Sequence, residues 1–383
     1  MILGIDAFNI KRGGGVTHLV KFLASANPEI LGYKKVILWG SLDLLSKIED
    51  KPWLHKVHEP ILDKSLIYRV FWHKFIVKKR AIHLKCDLLF LPGGTASSGF
   101  SPSVTMSRNM LPFEWAELLR FGCSYQTIKF ILLRFIQINS FQKANGLIFL
   151  TRYAKEKISK IAKLDISKST IISHGVDNSL PKKAIIRNFS SFDNKNPCRL
   201  IYVSHLSPYK HQPNLVKAVS RLREEGVPVS LLLIGPSESG VFILNKTINN
   251  VDPGGEFISY IGELDNEQIN NNYLNSDICV FASSCENMPN ILLEGMESGL
   301  PIVSSNMGPM PEILGEAGEY FDPLDVNDIF NALYKVIISS DLRKKMASSS
   351  LKRADLYTWE DCSSKTFSYL KDVAENTYTL PRV

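Results

Sequence analysis

The sequence lacks any uninterrupted apolar run of the roughly 18–20 residues that a membrane-spanning helix needs. Its first residues, MILGIDAFNI, carry no basic leader and put Asp6 inside the first apolar run, so they read as a first strand rather than a secretion signal. Cysteine is sparse. Cys86, Cys123, Cys198, Cys279, Cys285 and Cys362 form no CxxC pair, and no His/Cys cluster has zinc spacing. Cys279 lies in an apolar strand and reads as a buried reduced thiol, so the expected compartment is the cytoplasm. An Asp-x-Asp motif is missing, which leaves no obvious metal site. The glycine-rich segment fails the GxGxxG dinucleotide fingerprint. No solenoid repeat and no low-complexity tract appears.

What is present fits a globular chain of two ordinary domains: 383 residues, 45% apolar and 22% charged. The charge is uneven. Residues 1–180 hold 26 Lys and Arg against 13 Asp and Glu, a balance of +13, and the remainder balances at −6. A basic first half points to an anionic partner: phospholipid, a lipid-linked diphosphate or nucleic acid. A solvated basic face with no partner is the alternative.

Strand-like and helix-like segments alternate throughout, which predicts an α/β fold with parallel sheets. In the first half the strands are expected at 1–6, 36–40, 88–92, 103–108, 146–151 and 169–173, with helices at 16–26 and 152–161. The polar stretch 178–197 reads as a linker or loop. A second series follows, with strands at 199–205, 229–235, 257–262, 277–283 and 301–305, and helices at 213–224, 289–299 and 326–338. A helix at about 359–375 closes the pattern. Two such halves predict two Rossmann-like, doubly wound domains, 1–180 and 198–358, facing a central cleft at the carboxyl ends of their strands.

Three segments carry chemistry. Gly13-Gly14-Gly15 precedes the first helix, where glycine lets the backbone approach a ligand and free N–H groups can meet an anion. A plain strand-to-helix turn is the alternative. Ser204-His205-Leu206-Ser207-Pro208-Tyr209-Lys210 ends the first strand of the second half, and a lysine there can neutralise a diphosphate. Glu286-Asn287-Met288-Pro289-Asn290 leads into Ile291-Leu292-Leu293-Glu294 after the apolar strand at 277–283. Pro289 suits the first turn of a helix, whose N–H groups near Asn287, Met288, Pro289 and Asn290 would receive phosphate oxygens. Two carboxylates beside such an anion site suit hydroxyl-rich ligand, the two sugars of a nucleotide sugar.

The run ENMPNILLEGMESGLPIVSSNMGPMP, 286–311, resembles the glutamate-x7-glutamate signature of retaining glycosyltransferases, glycosyltransferase family 4 in particular. The glycine segment, the SHLSPYK segment and the SHGVD segment at 173–177 fall in the expected order, and the likeness covers most of the chain. The resemblance implies the GT-B fold, with the C-terminal helix (359–383) joining the first, acceptor-binding domain. It implies that Glu286 binds hydroxyls of the transferred sugar and that Glu294 holds the nucleotide ribose. Lys210 would clamp the diphosphate with backbone N–H groups of Gly14, Gly15 and the 287–290 turn. Ser204 and His205 would line the donor site. The chain departs from the family where an arginine often stands near His205 and a histidine near Arg108 and Asn109. Arg108 could supply the positive charge and Asn109 a hydrogen bond to the sugar. His205 reads equally as a partly buried strand-end histidine.

Without an Asp-x-Asp, the leaving diphosphate must be stabilised by Lys210, helix N-termini and glycine amides, with no metal and no cofactor. The segment 66–85 interleaves Tyr68, Phe71, Trp72 and Phe75 with Arg69, Lys74, Lys78, Lys79 and Arg80, and a second apolar stretch spans 126–142. Basic amphipathic helices of this kind lie on anionic membranes, with Trp72, Phe71 and Phe75 inserting. A buried helix with a solvated basic face is the alternative. No nucleic-acid module appears. The expected protein is a cytoplasmic enzyme, peripheral on the inner face of the plasma membrane. It moves a hexose from a nucleotide sugar such as GDP-mannose to a lipid-linked glycan of O-antigen or capsule type. A nucleotide-sugar epimerase of the same fold and a non-catalytic sugar-nucleotide-binding scaffold are the alternatives.

Overall fold

The computed structural model describes all residues except Arg12, Ser97, 177–190, Glu238, Ser239 and 380–383. Most of the expected linker, and Asp177 of the SHGVD segment, lie outside the described residues. The chain packs as two units: Met1–Phe113, Ile128–Gly175 and Thr358–Val383 form the first, and Glu114–Thr127 with Val176–Tyr357 the second.

The first unit holds a seven-stranded sheet: β1 (Ile2–Asp6), β2 (Lys35–Gly40), β3 (Leu54–His58), β4 (Leu88–Leu91), β5 (Ser103–Met106), β6 (Gly146–Phe149) and β7 (Ser169–Ile171). Every pairing is parallel, in the order β3-β2-β1-β4-β5-β6-β7. Ile5 stands between Leu38 and Phe90, and all three are fully buried. Strands buried on both faces read as continuous apolar runs, which is why β2 and β4 are legible in the sequence. The edge strand β3 is not: of LHKVH only Leu54 is buried. The strand order reverses between β1 and β4, and there Asn9 Nδ2 donates to the Gly93 carbonyl at 2.9 Å.

The first helix runs Gly14–Ala24, so Gly14 and Gly15 form its opening turn instead of preceding a helix at 16–26. Gly13 caps it at φ 63°, a left-handed conformation that glycine adopts readily. The last helix, Trp359–Thr379, packs within this first unit. Tyr33 Oη donates to the Phe367 carbonyl at 2.7 Å, Phe367 stacks on Phe22 at 5.0 Å, and the Leu147 amide donates to Tyr369 Oη at 3.0 Å.

The basic-aromatic segment is helical over Leu66–Phe71, Trp72–Ile76 and Val77–His83, the middle stretch being π-helical. A π-turn inserts an extra residue and rotates the faces. Trp72 is therefore fully buried rather than surface-inserting: its Nε1 donates to Asp6 Oδ1 at 3.2 Å. His73 Nδ1 meets Asp6 Oδ2 at 2.8 Å, whereas Phe71 and Phe75 stay exposed.

The second unit holds β8 (Cys198–Val203), β9 (Val229–Ile234), β10 (Ile258–Tyr260), β11 (Ile278–Phe281), β12 (Ile302–Ser305) and β13 (Gly318–Phe321). The order is β10-β9-β8-β11-β12-β13, again wholly parallel, so the reversal falls between β8 and β11. Ile201 pairs with Leu232 on one side and Cys279 on the other; Ile201 and Cys279 are buried and Leu232 is partly exposed. Arg199 grips Asp277 at 3.0 and 3.1 Å and fixes the starting ends of β8 and β11. The helix Val326–Ile338 ends on the buried Arg343, which donates to the Val336 and Ile337 carbonyls. All six cysteines are free thiols. Among the described residues no helix is long and apolar enough to cross a membrane.

Candidate active site

In open α/β sheets ligands bind where the strand order reverses, beyond the carboxyl ends of the strands. In the second unit that place is filled by the loops after β8 and β11. After β8, Ser204 is buried, with its amide on the Ile234 carbonyl at 2.7 Å. Its carbonyl lies against Gly235, where a β-carbon would approach the Ser204 oxygen to 2.2 Å at a φ of 143°. Only glycine fits there. His205 Nε2 meets Tyr209 Oη at 3.0 Å. Pro208–Lys210 then forms one 3-10 turn, and His211 at φ 50° starts the helix Gln212–Glu224.

This turn brings Lys210 into a 5% exposed position, with Nζ 5.5 Å from the Phe281 ring and its carbonyl accepting from Tyr202 Oη at 3.0 Å. Its ammonium donates to Glu286 Oε1. The loop after β11 is stitched to the same turn. The Ser284 amide and Oγ donate to the Tyr209 carbonyl at 2.9 and 3.2 Å, and His211 Nε2 meets Ser284 Oγ at 2.8 Å. Burial, with Arg120 nearby, holds the His211 ring well below its ordinary range, at about 4, so it is neutral. Burial, reinforced by Glu286, pushes the Tyr202 phenol and the Cys285 thiol up, so neither ionises near neutrality.

Asn287, Met288 and Pro289 are buried and lead into the helix Asn290–Glu297. Pro289 sits at the cap with φ −79° and ψ 112°, one residue before the helix and not in its first turn. Glu294 follows in the second turn, half-exposed, and its charge helps hold the buried Tyr273 phenol up. Gly295 brings this helix against β11, where a β-carbon would stand 2.9 Å from Cys279 Sγ. The dipole of this helix favours an anion at its amide end.

The first unit gathers a second set. Arg108, just beyond β5, donates from Nη2 to the Gly14 carbonyl, and a β-carbon on Gly15 would stand 3.1 Å from Nη1. Burial lowers its guanidinium to about 10, still cationic at neutral pH. Asn109 Oδ1 accepts from the Leu111 amide at 3.0 Å, which leaves its amide group as the donor toward any ligand. Sequence reasoning missed the histidines here. His18 is fully buried on the first helix, 4.7 Å from the His174 ring and 5.7 Å from Trp359. It also missed His211, although KHQP places that residue beside Lys210, and the Asn9 contact with Gly93.

Comparison with known proteins agrees with this architecture. Residues 184–353, within the second unit, match the family model described as Glycosyl transferases group 1. The O-antigen chain mannosyltransferase B of Escherichia coli is 27% identical over 172 residues, 45% of this chain and 45% of that protein. The match thus spans less than half of that relative. Among solved structures, sucrose-phosphate synthase from Thermosynechococcus elongatus superposes with a TM-score of 0.74 at 14% identity, covering 98% of this chain and 100% of the other. HepE of Anabaena, solved with UDP and glucose, gives a TM-score of 0.69 at 16% identity, covering 99% and 100%. The fold, two parallel-sheet Rossmann-like domains, is that of GT-B glycosyltransferases.

Proposed function

We propose that the protein is a configuration-retaining, metal-independent glycosyltransferase that moves a hexose from a nucleotide sugar to a lipid-linked or lipopolysaccharide glycan. The observation that carries this reading is the meeting of Lys210 and Glu286 at the strand-order reversal of a glycosyl transferases group 1 domain. Lys210 and the amide end of the helix Asn290–Glu297 take the diphosphate, and their fixed charge and dipoles stabilise it as it leaves. Glu286 accepts hydroxyls of the transferred sugar, and Glu294 accepts the ribose hydroxyls. Ser204, His205, Asn287 and Met288 line the donor. Within the first unit, Arg108, Asn109 and the opening turn at Gly14 and Gly15 are the groups of this reading that offer positive charge and donors.

Similarity to the Escherichia coli O-antigen chain mannosyltransferase B supports mannose as the transferred sugar and an O-antigen type glycan as the acceptor, and GDP-mannose is the donor of this reading. A thermal-shift panel of nucleoside diphosphates and their sugars tests the donor: a ligand at 100 times its dissociation constant adds about 2.7 kcal/mol of stability. Transfer from the stabilising donor to a lipid-linked acceptor, with the donor's anomeric configuration kept in the product, tests the rest. Donor binding without transfer to any lipid-linked glycan would overturn the enzymatic reading, and an inverted product would overturn retention.

A further inference from the structure

The second unit holds a cavity of about 440 Å³ beside the Lys210 turn. Small-molecule sites fall between about 300 and 1,000 Å³. None of the residues given to the donor lines this cavity. Ser207 and Pro208 border it, whereas Lys210, two residues on, carries its ammonium to Glu286. Leu206, Pro213 and Leu244 add an apolar wall.

Two observations point to an anion. Arg120 borders the cavity, and Glu117 takes only its Nε, at 2.7 Å; the two terminal nitrogens make no hydrogen bond among the described residues. A guanidinium fork with both tips unused matches two oxygens of a phosphate. Ser207 is only 8% exposed, and its hydroxyl also makes no hydrogen bond among the described residues. It heads the turn Pro208–Lys210 without capping it. A buried hydroxyl left in that state costs free energy unless a ligand takes it. Two helices begin at the same cavity, Gln212–Glu224 and Val241–Val251, and neither start has a side-chain cap. Each dipole favours an anion there.

The remaining polar groups suit hydroxyls. Gln212 lends its Nε2 to the His205 carbonyl at 3.1 Å and Asn214 its Nδ2 to the Pro323 carbonyl at 2.9 Å, which leaves both amide oxygens to accept. His211 is neutral, so it adds no charge to the Arg120 side. We propose that this cavity is a second ligand site, separate from the donor site, for a phosphorylated monosaccharide. Arg120, Ser207 and the helix starts hold the phosphate, Gln212 and Asn214 take sugar hydroxyls, and the apolar wall covers the carbon face of the ring. The inference goes beyond the transferase reading, and its readout is binding of a ligand that carries no nucleoside.

The test is calorimetry of the full chain with mannose 6-phosphate, with mannose and inorganic phosphate titrated separately. Mannose 6-phosphate should bind more tightly than either fragment, and a saturating nucleoside diphosphate should leave that affinity unchanged. Ser207→Ala should weaken it roughly ten- to hundredfold, the loss of one hydrogen bond to a charged group. This variant should keep the wild-type thermal midpoint and the stabilisation by nucleoside diphosphate, since the hydroxyl bonds nothing in the fold. Arg120→Gln with Glu117→Gln should weaken the sugar phosphate at least as much; the paired change avoids stranding Glu117, whose side chain is 8% exposed. Lys210→Met with Glu286→Gln should weaken the nucleotide and spare mannose 6-phosphate. A nucleotide affinity unmoved by that pair would count against the transferase reading alone. An affinity for mannose 6-phosphate no better than that for inorganic phosphate, displacement of it by the nucleoside diphosphate, or full binding by Ser207→Ala and by the Arg120 pair would overturn the second site.

Discussion

Lys210 donates from Nζ to Glu286 Oε1, closing an ion pair between positions 76 residues apart at the reversal of the second sheet. The two side chains are only 6% and 15% exposed. Removing one partner strands a nearly buried charge, which costs about 3–5 kcal/mol, whereas removing both leaves nothing uncompensated. Lys210→Met should therefore destabilise strongly, and Lys210→Met with Glu286→Gln should recover most of the loss. Denaturant titration of the three proteins checks this. Additive losses would mean that the pair is not coupled.

Transfer should not recover with stability. If Lys210 stabilises the leaving diphosphate, the doubly substituted protein should remain roughly 10²–10³ slower than wild type. Chelation should leave the native rate intact. A large loss with EDTA that Mg²⁺ restores would show that a metal shares the work assigned to Lys210.

Glu294→Ala should weaken binding of the preferred nucleoside diphosphate by about 1.5–3 kcal/mol, the worth of hydrogen bonds to a charged group. Calorimetry reads it directly. An unchanged affinity would take Glu294 out of the site and leave its half-exposed carboxylate as a surface charge on the helix Asn290–Glu297.

Acid should unfold the protein through its buried histidines. Burial, then His174 and Arg108, holds the His18 ring well below 6.5, and His211 sits at about 4. Both rings stay neutral in the fold while the unfolded chain binds protons below about 6.5. Stability is thus greatest above that pH and falls as pH drops, by about 1.4 kcal/mol per unit for each histidine, until the folded rings protonate. For His211 the decline ends near 4. His18→Leu should flatten part of this slope, because neither nitrogen of His18 has a hydrogen-bond partner to lose. A pH-stability profile identical to wild type would exclude His18 as a source.

Gly235 and Gly226 both adopt left-handed backbone, at φ 143° and 79°. Gly226 has open space around it, so Gly226→Ala should cost only the conformational penalty, about 1 kcal/mol. Gly235→Ala would drive a methyl into the Ser204 carbonyl and should cost several times more, shifting the loop that carries His205 and Lys210. Thermal midpoints of the two variants make the comparison. Equal costs would show that the Ser204 loop yields freely.

The sequence made the architecture legible wherever strands are buried on both faces, as at LLFL and ICVF, and wherever helices carry clean amphipathic patterns, as at Val326–Ile338. It hid the edge strands β3 and β13, whose residues are mostly half-exposed and show no apolar run. Lys210 and Glu286 were each legible as charged groups at strand ends, but their contact depends on strand order, which no local pattern encodes. Trp72 was misread for a related reason. Helical periodicity assumes a constant rotation per residue, and the π-turn at Trp72–Ile76 breaks it. Pro289 marks the cap of its helix, one residue outside the first turn, a difference that residue type alone does not encode.

The burial of Trp72 also shapes how the molecule can be watched. Of its five tryptophans, Trp39, Trp53, Trp72 and Trp359 are at most 6% exposed, while Trp115 is 47% exposed. Intrinsic emission should be blue-shifted as a whole, with a single indole open to an aqueous quencher. That indole lies on Glu114–Thr127, the stretch that packs with the second unit and places Arg120 near His211. A quencher titration therefore reads Trp115, the first residue of the helix Trp115–Leu119 and five residues before Arg120, without any label.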